Sequence, residues 1–338
     1  MRILLTGASG FIGAHLYREL SDQESIAVLG IDSHSNYYSP HLKKLRFESL
    51  SGRSLGEIRN VDISKDNQLD ALFQEFEPDI VIHLAAQAGV RLTAKYFDQY
   101  SLSNLTGFTN VITACVKFDV QSILYASSSS VYGDKAELPL RESERNLAPT
   151  SLYGATKLSN ELIAATISRR YGLKTRGLRF FTVYGPWGRP DMAYFRILSA
   201  LLHGDSFRLN GDGEVRRDFT FIDDVISLVE ILAEDLIKKD TGYYDVVNLG
   251  GGTPYSIIEL IQMLETITGR SLHLIKQVSE SSDVYLTHSN SDYRQSLIGQ
   301  SSFIPLVSGL TRFVEWGSDT SIRSYLQDWV KSSEAWTT

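Results

Sequence analysis

MRILLTGASGFIG, residues 1–13, is the stretch on which the fold turns. Arg2–Thr6 is a short apolar run that suits a strand buried on both faces. Gly7, Gly10 and Gly13 follow in GxxGxxG spacing, and a helical pattern then runs to about Leu20. Glycines in such a turn let the backbone approach a pyrophosphate, which meets the positive end of the helix that follows. An ordinary glycine-bearing turn between strand and helix would look the same over so few residues. Asp32 separates the two readings. It ends the second apolar run, Ser25–Ile31, 19 residues after Gly13. An acid at that place bonds the ribose hydroxyls of NAD, and its charge repels the extra phosphate of NADP. NAD is therefore the expected cofactor.

Further along, strands and helices alternate. Glu57–Val61 reads as a third strand ending at Asp62, Asp79–Leu84 as a fourth, Gln121–Ala126 as a fifth and Leu173–Phe180 as a sixth. Helices are expected at Gln68–Phe76, Asp98–Phe118 and Ser151–Tyr171. This alternation predicts an α/β fold, a Rossmann-type doubly wound parallel sheet. After about Tyr184 the segment GPWGRPD, residues 185–191, breaks the pattern with Gly and Pro. Shorter elements follow, among them Ala193–Leu202, Asp224–Glu234, Ser256–Thr266 and Thr320–Lys331. The expected organisation is a cofactor domain over 1–185 and a smaller C-terminal substrate-binding lobe over 186–338, with segments of the two interdigitated. Along the cofactor, the residues expected are Gly7, Gly10, Phe11, Ile12, Gly13, Asp32, Asp62, Ile63 and the small-residue run Leu84, Ala85, Ala86 and Gln87. Asp62 has two open readings, contact with the adenine or a helix N-cap in DISKD. His83 reads as a packed core histidine rather than a catalyst.

Bulk properties exclude several classes. The 338 residues carry a net charge of -7, which argues against a general binder of nucleic acid or anionic membranes. Cys115 is the only cysteine, so no intrachain disulfide forms, and the seven histidines show no HExxH spacing. No metal site is expected. The start of the chain lacks the long apolar segment of a signal peptide or membrane span, so a cytoplasmic protein is expected.

Chemistry is concentrated in two stretches, ASSSSVYG (126–133) and SLYGATK (151–157). The serines stand at the C-terminal end of a parallel strand, where such sheets bind ligands. Tyr153 and Lys157 are one helical turn apart and share a face. A phenol needs a pKa shift of roughly three units, about 4 kcal/mol, to ionise near neutrality, and a fixed ammonium favours that shift. Glycine turn, acidic second strand end, serine-rich fifth strand end and YxxxK occur here in one order.

With these motifs the chain resembles the extended short-chain dehydrogenase/reductase family, and within it the NAD-dependent nucleotide-sugar epimerases. HLAAQAGVR, ASSSSVYG, SLYGATK, LRFFTVYGPWGRPDMA and RRDFTFIDDV look most like UDP-glucuronate 4-epimerases, and the resemblance runs from residue 1 to about 260. It implies that Tyr153 is the general base, that Lys157 holds the nicotinamide ribose and lowers the tyrosine pKa, and that Ser128 bonds the reacting hydroxyl. It implies that Asn104 supports Lys157 through a water, that Arg217 binds the diphosphate, and that Asp283 binds the uridine ribose. The arginine often found three residues before that aspartate is Glu280 here. Arg216 is expected to be solvated. A homodimer through the helices at Asp98–Phe118 and Ser151–Tyr171 is also implied.

Departures from related patterns narrow the chemistry. Dehydratases of this resemblance carry an Asp-Glu pair where Ser129 and Ser130 stand, and decarboxylating relatives carry Glu at Ser130. Serines cannot move those protons. A uronic acid oxidised at carbon 4 is a β-keto acid, so its carboxylate must be kept out of line with the new carbonyl. Ser129, Ser130 and Thr182 are the candidate holders, and Thr182 replaces the Asn of galactose-type epimerases. Arg189 either contacts the carboxylate or diphosphate, or pairs with Asp191. Gln87, Gly89, Val90 and Arg91 line the sugar side or serve only as a loop. Tyr37 and Tyr38 match a signature of the subgroup without a mechanistic role. The expected reaction is 4-epimerisation of UDP-glucuronate. The alternatives are a 4-epimerase of UDP-glucose or UDP-N-acetylglucosamine, a UDP-glucuronate decarboxylase, and an NAD-binding regulator without turnover.

Overall fold

Residues 1–50, 58–90, 93–278 and 284–334 are described by the structure, a computed structural model. The strands are β1 (Arg2–Thr6), β2 (Ala27–Asp32), β3 (Ile58–Asn60), β4 (Ile80–His83), β5 (Ser122–Ser128), β6 (Lys174–Phe180), β7 (Thr182–Tyr184), β8 (Ser206–Asn210), β9 (Arg216–Phe221), β10 (Tyr244–Leu249), β11 (Pro254–Ser256) and β12 (His273–Gln277). The helices are α1 (Phe11–Ser21), α2 (Pro40–Leu50), α3 (Asp66–Phe76), α4 (Phe97–Tyr100), α5 (Gly107–Lys117), α6 (Leu152–Tyr171), α7 (Ala193–His203), α8 (Ile222–Ile237), α9 (Ile257–Thr268), α10 (Asp292–Ile298), α11 (Leu306–Ser318) and α12 (Thr320–Glu334).

Seven strands form the main sheet in the order β10-β6-β5-β4-β1-β2-β3, and every pair is parallel. The order reverses between β1 and β4, which opens a crevice at the carboxyl ends of those strands. Alternation along β1 shows why the sheet needs two helical layers. Ile3 and Leu5 pack in one core with residues of α1 and α8, and Leu4 packs in the other with residues of α3, α5 and α6.

Two features differ from the sequence expectations: the sheet has a seventh strand, and one long helix is broken into three stretches. The chain crosses residue 185 and then returns to the sheet. β10 pairs with β6 as a seventh strand, and α8 joins α1 on one sheet face. The helix expected at Asp98–Phe118 is instead α4, a π-helical stretch Ser101–Thr106, and α5. Helix α2 carries a fully buried arginine, Arg46. Around the returning segments lie the small sheets β11-β9-β7 and β12-β8, with α7, α9, α11 and α12. Trp187, Phe195, Phe313, Trp316 and Trp329 pack among them. Among the described residues no helix is long and apolar enough to cross a membrane, and no cluster of His, Cys, Asp and Glu is placed to hold a metal.

Candidate active site

The glycine turn is built to tolerances that admit no side chain. Gly7 has φ +72°, and a Cβ there would lie 2.7 Å from the backbone nitrogen of Ala85. A Cβ on Gly13 would lie 2.1 Å from the Gly7 carbonyl oxygen. Helix α1 therefore starts hard against the turn. Gly10 caps it without a side-chain bond, so the first N–H groups, from Phe11 and Ile12 onward, keep their positive end open. Asp32 closes the cradle from the side. Its carboxylate accepts from the Ser9 N–H (3.1 Å) and the His34 N–H (2.7 Å). A narrow glycine cradle, an open helix end and an acid beside it fit a dinucleotide with a free ribose hydroxyl pair.

The walls of the cradle follow from strand ends. Leu84 and Ala85 donate backbone N–H groups to the Thr6 carbonyl (3.1 Å) and hydroxyl (3.1 Å). His83 bonds the same hydroxyl at 2.8 Å and is buried. Burial, with the Lys157 charge second, drops its pKa to about 3, so it is a neutral core histidine. Asp62 accepts from the Ser64 N–H (3.0 Å) and hydroxyl (2.7 Å) and closes its own turn. It is not the helix N-cap allowed by the sequence, because α3 begins at Asp66 behind Lys65. Ile63 packs under Gly107, where a Cβ would meet its Cδ1 at 2.7 Å.

Asn104 sits in the π-helical stretch, a widened turn of the kind that recurs at functional sites. Its side chain accepts from the Gln87 N–H (2.8 Å) and donates to the Gln87 carbonyl (3.0 Å) and the Thr156 hydroxyl (3.0 Å). It thus clamps the loop after β4, with Ala86 and Gln87, to α6.

Strand β5 delivers Ser128 to its carboxyl end. A 3₁₀ turn, Ser129–Val131, follows. Ser128 Oγ accepts from the Ser130 N–H (3.2 Å) and donates to Ser130 Oγ (3.1 Å). Helix α6 begins beside this turn, capped by Ser151 Oγ on the Gly154 N–H (3.1 Å). Gly154 is required because a Cβ there would lie 2.6 Å from the Ser130 carbonyl oxygen. Tyr153 is thereby pressed toward the serines. Burial raises its pKa, while the Arg189 charge and a hydrogen bond with Ser128 oppose the rise.

Lys157 is buried one helical turn after Tyr153. Its Nζ lies 5.8 Å from the Tyr153 ring centroid and donates to the Ala126 carbonyl at 2.8 Å. The Arg189 charge also favours the Tyr153 phenolate. Burial drops Lys157 itself from its ordinary 10.5 to about 7. Between those two values the folded lysine is neutral while the unfolded one still holds its proton. This group therefore makes stability climb as pH rises from about 7 toward 10.5. Thermal melts of the cofactor-free protein are expected to show that climb up to pH about 10, where tyrosines begin to ionise. Lys157→Met should remove it. Equal pH dependence in the two proteins would contradict the buried, neutral state of Lys157.

The sequence profile of the NAD dependent epimerase/dehydratase family matches residues 3–250. The chain belongs to this family. NAD is accordingly its cofactor, in keeping with the cradle. UDP-glucuronate 4-epimerase 6 of Arabidopsis thaliana is 40% identical over 94% of this chain and 71% of its own length. Protein CapI of Staphylococcus aureus is 36% identical over 94% of this chain and 98% of its own length. The crystal structure of UDP-glucuronic acid 4-epimerase from Bacillus cereus, in complex with UDP-glucuronic acid and NAD, superimposes with a TM-score of 0.87. It is 34% identical, covering 94% of this chain and 98% of that one.

Beyond β6, Thr182 opens β7, and Arg189 lies in the loop that follows. Arg189 pairs with Asp191, Nε to Oδ1 at 3.1 Å and Nη2 to Oδ2 at 2.5 Å. The ion-pair reading is thus realised, although a quarter of the arginine side chain (24%) stays exposed. Arg217 donates to the carbonyls of Arg216 (2.9 Å) and Val284 (2.7 Å). Arg216, expected to be solvated, is half-buried and forms a surface pair. It reaches Glu259 Oε2 at 3.0 Å and the Pro254 carbonyl at 3.2 Å. Arg91 and Asp283 lie outside the described residues. A group not foreseen from sequence is Glu161, two helical turns after Tyr153 on the same stripe as Lys157. It receives the Ser127 hydroxyl (2.6 Å) and both Nε (2.9 Å) and Nη2 (2.7 Å) of Arg179. The i, i+4, i+8 spacing of Tyr153, Lys157 and Glu161 was the available signal.

Proposed function

We propose that this enzyme inverts carbon 4 of UDP-glucuronate to give UDP-galacturonate. The observation that carries the reading is the all-serine turn Ser128–Ser130 packed against the Tyr153 end of α6, beside the NAD cradle. Relatives named as UDP-glucuronate 4-epimerases support it, since they match nearly the whole chain.

NAD, when bound, accepts a hydride from carbon 4 and gives it back. The protein does the rest. Tyr153 takes the proton of the 4-hydroxyl as the carbon is oxidised, and Ser128 holds that oxygen in line. Lys157, with the nicotinamide ribose, keeps the phenolate available. Gly7, Gly10, Gly13 and Asp32 hold the cofactor still, and Gln87 and Asn104 keep its nicotinamide side walled. The sugar then turns about its link to the diphosphate, which Arg217 anchors, and presents its other face. Tyr153 returns the proton. Ser129, Ser130 and Thr182 hold the carboxylate away from the alignment that would release carbon dioxide.

The pairing of Arg189 with Asp191 favours a second reading, because it neutralises a cation that a uronate would otherwise use. That reading is a 4-epimerase of a neutral UDP-hexose. Proton NMR of products formed separately from UDP-glucuronate and UDP-glucose distinguishes them. UDP-galacturonate from the first substrate is expected. An unchanged UDP-glucuronate together with turnover of UDP-glucose would move the assignment to the neutral sugar.

A further inference from the structure

Tyr37 follows Asp32 by five residues, on the cofactor side, yet its hydroxyl donates to Asp191 Oδ2 (3.1 Å) on the substrate side. The same carboxylate holds the Arg189 fork, and the guanidinium carbon lies 5.9 Å from the Tyr37 ring centroid. Tyr37 is buried. Gly89 closes over it, since a Cβ there would come 2.4 Å from its hydroxyl oxygen. Tyr100 donates to the Gly89 carbonyl, and its ring is 6.3 Å from the ring of Tyr153. Arg46, on the following helix α2, makes a second bridge. It donates to the Ser9 carbonyl (3.0 Å) in the glycine turn and to the carbonyls of Trp187 (2.7 Å) and Gly188 (3.2 Å). The segment from Tyr37 to Arg46 therefore ties the GPWGRPD loop to the cofactor cradle at two points.

We propose that Tyr37 is a positioning residue for the reaction: by holding Asp191 it fixes where the Arg189 guanidinium stands relative to Tyr153. The proposal rests on Tyr153 being the base. Asp191 is held by donors on two sides, from Arg189 and from Tyr37. Without the Tyr37 hydroxyl the carboxylate is free to turn, and its arginine turns with it. A cation favours the phenolate more the closer it is held. Among the described residues, the groups facing Arg189 are Asp191, Tyr37, Tyr153 and Tyr194, and those facing Tyr153 are Ser128, Lys157, Tyr100 and Arg189.

The test is the pH profile of turnover of UDP-glucuronate by the NAD-loaded enzyme and its Tyr37→Phe variant. The acid limb is expected to move upward by about half to one pH unit, a roughly three- to tenfold loss near neutrality that recovers at higher pH. In an Asp191→Asn background, Tyr37→Phe should add no further displacement. An unmoved limb, an equal loss at every pH, or an additive displacement in that background would each overturn the proposal. If the unmodified enzyme does not turn over UDP-glucuronate, the substrate reading fails alone. The phenolate absorbance lost on Tyr153→Phe then reports the same ionisation, with and without Tyr37→Phe. It should appear at higher pH without the Tyr37 hydroxyl, and coincident titrations overturn the proposal.

Discussion

Tyr153→Phe is expected to lower turnover by about three powers of ten or more, roughly 4 kcal/mol of barrier. The substitution keeps the ring and its contact with Tyr100, and removes only the oxygen that engages Ser128. The fold and the cofactor cradle should survive, so the variant should melt near the parent temperature and retain its NAD. Neighbouring groups offer no ready replacement. Ser128 is an un-ionised hydroxyl bonded to Ser130, and Lys157 is turned to the Ala126 carbonyl. The comparison is an initial-rate assay with NAD content and melting temperature measured on the same samples. A loss of less than tenfold would show that another group takes the proton.

Arg179→Met should be the most damaging substitution for stability among the buried ion pairs. Arg179 and Glu161 are both 2% exposed, and Glu161 also receives the Ser127 hydroxyl next to Ser128. Removing the arginine leaves a buried carboxylate without its cation, at a cost of about 3–5 kcal/mol. Glu161 shares a stripe with Tyr153 and Lys157, so α6 should lose its seating on β5 as well, and turnover should fall with stability. Adding Glu161→Gln removes the stranded charge and still accepts from Ser127, so the double variant should regain much of the lost stability. Denaturant melts of the parent, the single and the double variant decide this. A single variant as stable as the parent would mean that the pair does not hold α6 in place.

What the sequence made legible was local. Three glycines mark the cradle, two of them, Gly7 and Gly13, at places where a Cβ would strike backbone, and Asp32 marks its acid side. The four-residue spacing of Tyr153 and Lys157 places them on one face of α6, but spacing says nothing of where the ammonium goes. It goes to the Ala126 carbonyl, while Arg189 is a second cation that acts on the phenol. Arg189 is held in turn by Asp191, which Tyr37 meets across 154 residues of chain. The seventh strand was missed for the same reason. β10 pairs with β6 only after β7, α7, β8, β9 and α8 have been threaded, and pairing at such range leaves no mark in local periodicity. Similarly, helical propensity does not distinguish a π turn from an α turn, so the widening around Asn104 was invisible, although the residue itself was not.

The central claim is that carbon 4 gives up its hydrogen and takes the same one back while Tyr153 handles the proton of the oxygen. UDP-glucuronate carrying deuterium at carbon 4 tests it most directly, with the product read by NMR. The account predicts UDP-galacturonate that keeps the deuterium at carbon 4, with no accumulation of reduced cofactor. Product whose deuterium has exchanged with water would contradict it.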